Sequence, residues 1–142
     1  MNQDTYDVTT VIHAHLILSD STTTDVAIEL GYRASDPFAI HAEFVCGDST
    51  TTWLLARDLF DQGLVSDQDS AAGDGDVHIW RDEDLDYLLL SLTGALGTAL
   101  LAAPAEPLER FMDETHVRVP VGMESDRFDS ALDAFVASIL TT

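Results

Sequence analysis

Lysine is absent from this 142-residue chain, and all six of its basic residues are arginines. They are outnumbered by 26 acidic residues, which gives a formal net charge of −20 at pH 7. Proteins that bind duplex nucleic acids or anionic membranes use Lys and Arg to neutralise phosphates, so the composition argues against both classes. The basic patch expected of a nucleic-acid-binding protein is also lacking.

Cysteine, long apolar runs and targeting signals are equally scarce. Cys46 is the single cysteine, which excludes an internal disulfide. It closes an apolar strand, so we predict a small core residue rather than a nucleophile. No run approaches the roughly 20 apolar residues of a membrane span, and the N-terminus lacks the basic and apolar regions of a signal peptide. We therefore expect a cytoplasmic protein without a transmembrane segment.

The chain nevertheless has the composition of a folded protein, since 46% of its residues are hydrophobic. Its length predicts one domain over residues 1–142 with a sizeable core. Apolar and polar residues alternate with a period of two in residues 8–18, 26–33 and 38–46, which is typical of antiparallel strands with one buried face. Further strands are expected at 53–56, 77–81, 86–93 and 97–103. The Ser/Thr runs at 21–24 and 49–52 are predicted to be polar loops.

Three helices are expected beside these strands. Residues 57–62 predict a short helix, with Gly63 in a left-handed position just past its end. Pro104 and Pro107 favour the start of a second helix. An apolar stripe with helical spacing predicts the third, and its members are Phe128, Ala131, Leu132, Phe135, Val136, Ile139 and Leu140. The class is α+β, with an antiparallel sheet of six to seven strands and about three helices.

Candidate chemical sites in the sequence are weak. His13 and His15 lie on one side of a strand, and a third ligand from His41 or His78 would complete a zinc site, yet no established zinc motif accompanies them. Residues 66–76 form an acidic segment that fails the calcium-loop pattern, because the pattern's glycine and final glutamate are missing. We interpret it as a flexible, solvated loop. We predict no catalytic residues, no metal and no cofactor, and therefore no enzyme.

Aromatic residues and arginines offer two further possibilities. Trp53, Trp80, Tyr32, Tyr87 and Phe38 would suit a stacking platform for single-stranded nucleic acid, but such platforms need a cationic groove. The pairs Arg57-Asp58 and Arg81-Asp82 are more informative. In so acidic a chain each arginine is expected to have a carboxylate partner, either within the chain or across a subunit boundary.

Five segments carry a resemblance to a known family. They are residues 36–44 (DPFAIHAEF, preceded by Tyr32), 53–64 (WLLARDLFDQGL), 73–80 (GDGDVHIW), 103–112 (APAEPLERFM) and 119–124 (VPVGME). In this order they resemble the SsgA-like proteins, over about residues 10 to 140. Arg81 departs from the pattern, where a proline or a small residue is expected, and the charge is more extreme than the family's.

The resemblance implies a cell-division regulator of morphologically complex actinobacteria. It implies a non-enzymatic adaptor that acts in sporulation septation at septum sites, by positioning FtsZ together with SsgA-type proteins, and we favour the SsgB-like branch. It also implies an architecture similar to the oligomeric Whirly proteins, with a homo-oligomer, expected to be a trimer. A single-stranded nucleic-acid-binding module of Whirly type is the alternative, which the charge opposes.

Two sets of site residues follow from this interpretation. Arg57, Asp58, Asp76 and Trp80 lie in the motifs and are predicted to face a partner. Val11, His13, His15 and Ile17 form the mixed face of the first strand, which is neither a clean core nor a clean surface. We therefore predict that this face is buried between subunits.

Overall fold

The computed structural model describes residues 6–18, 20, 22–73, 75–82, 84–95, 97–125, 136–137 and 139–140. These residues form a seven-stranded sheet and two α-helices. In chain order the elements are β1 (Val8–Ile17), β2 (Thr23–Arg33), β3 (Asp36–Cys46), β4 (Ser49–Ala56), α1 (Arg57–Gly63), β5 (Val77–Asp82), β6 (Tyr87–Gly94), β7 (Gly97–Pro104) and α2 (Ala105–Arg118).

The sheet joins two antiparallel meanders, one of β1–β4 and one of β5–β7. Its strand order is β4-β3-β2-β1-β7-β6-β5, and every neighbouring pair is antiparallel. The meanders meet where β1 pairs with β7 through three residue pairs, from His15 with Ala102 to Ile17 with Leu100. The predicted α+β class and antiparallel sheet are confirmed.

The period-two alternation predicted for β1 is also confirmed. Ile12 and Ala14 are buried, while Val11 and His13 between them are exposed. We call the buried side the inner face of the sheet and the other side the outer face. Both helices pack on the inner face, where α1 contacts β3, β4 and β5 and α2 contacts β1.

Helix α2 shows how the sequence directs this packing. Pro104 precedes the helix and Pro107 lies in its first turn, where the missing N–H groups cost no intrahelical hydrogen bond. Leu108, Phe111 and Met112 follow with helical spacing, and all three are buried.

Several predictions about the connecting segments are wrong. Residues 49–52 are the first half of β4 rather than a loop, because their backbone pairs with the end of β3. Gly63 does not adopt a left-handed conformation. A glycine is required at this position for a steric reason instead, because a Cβ there would lie 2.4 Å from Cγ2 of Ile79.

The acidic segment at 66–76 is more structured than a solvated loop. Residues Gln68–Ser70 form a 3₁₀ turn, and Ala72 exchanges two backbone hydrogen bonds with Ile79 of β5. The third predicted helix lies largely outside the described residues, because residues 128–135 are not described. The described residues 136, 137, 139 and 140 are helical.

Candidate functional site

The outer face of the sheet is the candidate functional site, because no described helix packs on it. The strand register places its residues in rows across the sheet. One row runs from His15 through Ala102 and Leu89 to Trp80. The next runs from Ile17 through Leu100 and Ser91 to His78. Trp80 of the predicted partner site therefore shares one continuous surface with His15 and Ile17 of the predicted interface.

The part of this face formed by β5–β7 is mostly apolar, and we call it the apolar half. Trp80, Leu89 and Leu100 are half-buried side chains on it. They line a shallow depression together with residues of the 66–73 segment and the β5–β6 turn. The same depression is also lined by Asp67, Arg81, Asp82 and Asp84, so it has an apolar centre and a charged rim. An apolar patch with a polar rim is a candidate for contact with another protein.

The part formed by β1–β4 is acidic, and we call it the acidic half. Glu29 of β2 lies directly opposite Glu43 of β3, beside Val11 of β1. Neither carboxylate has a hydrogen-bond or ion-pair partner among the described residues. Like charges directly opposite each other destabilise a sheet, so this pair is a site where a cationic group would be stabilising. A depression of about 500 Å³ surrounds it, with Tyr6 and His41 on its wall.

The four residues of the predicted subunit interface all lie on the outer face of β1. Val11 is 55% exposed and His13 is exposed, whereas His15 and Ile17 are half-buried. The first two lie beside β2 within the acidic half, and the last two pair with β7 of the apolar half. The burial of this face of β1 between subunits stays a prediction.

The four residues of the predicted partner site do not come together. Trp80 lies on the outer face, and the exposed Asp76 directly precedes β5. Asp58 is exposed on α1, which packs on the opposite side of the sheet, and it accepts a hydrogen bond from the Gln62 side chain. Asp58 and Trp80 therefore lie on opposite sides of the sheet, and partner contact by either residue stays a prediction.

Arg57 requires a correction, because it is 2% exposed and has an internal role. Its Nη1 donates to the carbonyl oxygens of Thr115 at 3.1 Å and Val119 at 2.7 Å. Its Nη2 donates to Oε2 of Glu124 at 2.7 Å. All three acceptors lie at or beyond the C-terminal end of α2, so Arg57 ties the start of α1 to the chain that follows α2. We assign it a structural role in place of partner contact.

The electrostatics of this contact agree with its geometry. The hydrogen bond from Arg57 holds the pKa of the Glu124 carboxyl below its usual range, and backbone N–H groups lower it further. The guanidinium also lies 5.2 Å from the ring centroid of Tyr32, which is buried. The carboxylate partner of Arg57 could have been in the same chain or across a subunit boundary, and the structure places it in the same chain, at Glu124.

Arg81 has a similar role at the other edge of the sheet. Its guanidinium donates to Oδ1 of Asp86 at 2.5 Å and to Oε2 of Glu109 at 2.8 Å. These hydrogen bonds raise the pKa of Arg81, so it remains charged. The arginine that departs from the family pattern thus links β5 to the β5–β6 turn and to α2.

The histidines do not assemble into a metal site within the described part of the chain. No three His, Cys, Asp or Glu side chains among those residues are close enough to hold an ion. Three histidines instead lie beside single aspartates. His116 Nε2 is 2.8 Å from Asp61 Oδ1, and His15 Nδ1 is 3.3 Å from Asp25 Oδ1. The third, His41, lies 3.6 Å from a carboxylate oxygen of Asp36.

Sequence reasoning missed the Glu29–Glu43 pair and the contribution of Leu89 and Leu100. Alternation places both glutamates on outward-facing positions, but their opposition depends on the β2–β3 register, which alternation does not specify. Leu89 lies in the apolar run 87–90, where the residues of both strand faces are apolar. The sequence therefore does not show which of these side chains face outward.

The fold and this face together define an α+β protein whose candidate binding surface is an antiparallel sheet face that none of the described helices covers. None of its described helices has the length and apolarity needed to cross a membrane. The sequence profile of the family described as "Streptomyces sporulation and cell division protein, SsgA" matches residues 26–124. The chain belongs to this family.

Two SsgB proteins with similar sequences support this membership. The sporulation-specific cell division protein SsgB of Streptomyces coelicolor is 37% identical over 132 residues, which cover 91% of this chain and 92% of that protein. The SsgB of Thermobifida fusca is 32% identical over 144 residues, 99% of this chain and 100% of that protein.

Solved structures extend the similarity to the fold. The crystal structure of the SsgA-like sporulation-specific cell division protein of T. fusca has a TM-score of 0.81 and 32% identity, and the match covers 97% of this chain and 98% of that one. An SsgB structure from a study of mutations that correlate with longitudinal cell division in S. coelicolor has a TM-score of 0.77 and 35% identity, over 85% and 94%.

Proposed function

We propose that this protein is a non-enzymatic regulator of sporulation-associated septation. It acts in the cytoplasm at division sites, where it recruits or positions FtsZ together with SsgA-type partners. The observation that carries this proposal is the near full-length similarity to proteins named sporulation-specific cell division protein SsgB. The sheet face that no described helix covers supports it, because an adaptor needs surfaces for partners more than an enclosed cavity.

The apolar half is the surface we assign to self-association, within a homo-oligomer that we expect to be a trimer of Whirly-like architecture. Leu89, Leu100 and Trp80 would be covered there by another copy, with Ile17 and His15 at the margin. Each copy brings a charge of −20, so contacts of low charge are required for copies to assemble. Because salt screens the repulsion between copies, the oligomer should weaken as salt is lowered.

Light scattering tests this assignment with a matched pair of variants. Leu100→Glu adds a charge to the apolar half and should reduce the mass to that of one chain. Leu54→Glu makes the same change on the outer face of β4, where Leu54 is 62% exposed, and should leave the mass unchanged. Equal masses for the two variants would contradict the assignment, and an equal mass at very low and moderate salt would contradict the charge reasoning.

The acidic half is the surface we assign to the division partner. A cationic side chain of that partner would reduce the repulsion between the facing carboxylates of Glu29 and Glu43. A pull-down with FtsZ and an SsgA-type protein at near-physiological salt should succeed with the wild-type chain and fail with Glu43→Lys. Glu114→Lys, which makes the same change on an exposed position of α2, should bind like the wild type. If the wild type and both variants all retain the partners, or if none of the three does, the result would contradict the assignment of this surface.

Deletion of the gene in its host, with imaging of septa, tests the function itself. We expect sporulation septa to be lost or misplaced and FtsZ rings to be absent from their sites. Normal septation in the deletion strain would refute the proposal. Nucleic-acid binding gains no support, since the names of the relatives do not mention it and the β1–β4 face carries unpaired carboxylates that would repel phosphates.

A further inference from the structure

The two edges of the sheet differ in their backbone pairing. At the β5 edge, Ala72 exchanges two backbone hydrogen bonds with Ile79, and the N–H of Arg81 donates to the carbonyl oxygen of Ser66 at 2.8 Å. The segment that precedes β5 therefore covers that edge. At the opposite edge β4 pairs with β3, and no backbone N–H or C=O of residues 49–55 is hydrogen-bonded to any other described part of the chain.

The β4 edge also lacks the features that usually prevent another strand from pairing. Folded proteins protect an exposed edge with charged residues, a proline, a bulge or a very short strand. β4 has eight residues, STTTWLLA, and none of them is charged or a proline. Its register with β3 contains no shift over its whole length. β4 is therefore a regular edge strand that can accept a further strand.

The β3–β4 hairpin determines which backbone groups of β4 point outward. A two-residue turn, whose first residue Gly47 has a φ of 60°, joins the two strands. The residue pair that closes such a turn is hydrogen-bonded, and bonded and outward-directed residues then alternate along the strand. Ser49 is the closing residue in β4, so Thr50, Thr52 and Leu54 direct their N–H and C=O groups away from β3. All three residues are exposed.

The neighbours of β4 define the chemistry of a strand that could add there. On the outer face, Thr52 continues the row that contains Glu29 and Glu43. A residue of an added strand in this row would lie two strand spacings, about 10 Å, from Glu43, which an arginine and a glutamate side chain can span together. On the inner face the neighbour is the half-buried Trp53, which favours an apolar side chain. An added strand should therefore alternate basic and apolar residues.

We propose that β4 binds an extended segment of a partner protein, with alternating basic and apolar residues, as an additional edge strand of the sheet. Main-chain hydrogen bonds to Thr50 and Thr52 supply the affinity, and Glu43 selects for the basic side chains. This inference rests on the assignment of the acidic half to the division partner. It adds the mode of binding and the chemistry of the bound segment.

A blocked, fluorescently labelled peptide with the sequence Thr-Val-Arg-Val-Arg-Val-Thr is the probe, and anisotropy at near-physiological salt measures its binding. The wild-type chain should bind it. Thr52→Pro should bind at least several-fold more weakly, because proline removes an outward N–H without breaking the β3–β4 ladder. Thr52→Val is the matched control, since it loses the same hydroxyl but keeps the N–H. Equal affinities of the two variants would overturn the proposal.

A second measurement uses the wild-type chain alone and covers the case in which Thr52→Pro disturbs folding. In an antiparallel addition the arginine N–H groups of the peptide face β4, and in a parallel addition the valine N–H groups do. N-methylation of one of these two sets should therefore abolish binding, whereas N-methylation of the other should leave it. Equal affinities of the two methylated peptides would overturn the proposal.

The outcomes also separate this inference from the proposed function. If FtsZ and an SsgA-type protein are retained by the wild type and lost with Glu43→Lys, but the peptide does not bind, the strand addition is wrong and the acidic half stays assigned. If the peptide binds at β4 while the pull-down stays empty, the inference holds and the division partners are wrong. Protection of the Thr50 and Thr52 amides from hydrogen exchange that rises with protein concentration, without peptide, would show a second copy at this edge and overturn the proposal.

Discussion

Replacement of Arg57 by alanine should destabilise the protein more than any other change of an arginine. The side chain is 2% exposed and donates three charge-assisted hydrogen bonds, to the carbonyls of Thr115 and Val119 and to Glu124. Each such bond contributes about 1.5–3 kcal/mol, but removal of one partner from a buried ionic network costs about 3–5 kcal/mol in total. We therefore expect Arg57→Ala to lower the free energy of unfolding by about 3–5 kcal/mol.

Urea denaturation at a fixed protein concentration measures this change. For a typical slope of about 1–3 kcal/mol per molar urea, the loss moves the midpoint by roughly 1–5 M. Arg57→Lys keeps the charge but not the planar fork, so it should lose about half as much. The matched control is Arg110→Ala on the exposed side of α2, for which we expect a change within about 0.5 kcal/mol. A loss below about 1 kcal/mol for Arg57→Ala, or one equal to that of the control, would refute the assignment of a structural role.

Three further changes are expected to affect stability in defined ways. Gly63→Ala should cost about 1–3 kcal/mol, because its Cβ would lie 2.4 Å from a methyl group of Ile79, whereas Gly94→Ala meets no atom within 4 Å and should cost less. Glu124→Gln should cost about 1–2 kcal/mol at pH 7. Since the Glu124 pKa is lowered on folding, its contribution is complete above the ordinary glutamate value of about 4.3 and is lost as the pH falls through the lowered pKa. Tyr32→Phe removes a 3.0 Å hydrogen bond to a backbone carbonyl and should cost about 1 kcal/mol. Burial also raises the pKa of Tyr32, so wild-type stability should fall above about pH 10 more steeply than that of the variant.

Denaturation midpoints check all three changes. Equal midpoints for the two glycine variants would contradict the steric role of Gly63. If the difference in free energy of unfolding between wild type and Glu124→Gln stays constant from pH 7 to pH 3, the link between the Glu124 carboxylate and Arg57 would be contradicted. Parallel stability curves for wild type and Tyr32→Phe between pH 9 and pH 11 would show that the ring does not ionise differently on folding.

The strands of the first meander were predictable because alternation identifies both an element and its buried side. In β1 the pattern correctly separated Ile12 and Ala14 from Val11 and His13. The polar start of β4 was missed, because Ser and Thr suit loops and strands alike and the deciding factor is the pairing with β3.

The site was less predictable than the fold, because it depends on register and on tertiary contacts. Trp80 and His15 lie in one row of the outer face because of three strand pairings, and no local sequence pattern specifies those pairings. The internal role of Arg57 depends on an acceptor, Glu124, that lies 67 residues further along the chain. From the sequence, a carboxylate partner for this arginine was predictable, but its identity and its burial were not.

The three-pair junction between β1 and β7 has a consequence for how the chain folds. Each meander forms from neighbouring segments, whereas this junction joins residues more than 80 positions apart in sequence. Loop closure over such a distance is entropically costly and must precede the contacts that repay it. We expect the two meanders to form early and the junction to form late, so that its closure sets the folding rate. Until then the facing edges of β1 and β7 remain open to other chains, and the interval before closure is when this protein is most prone to mispair.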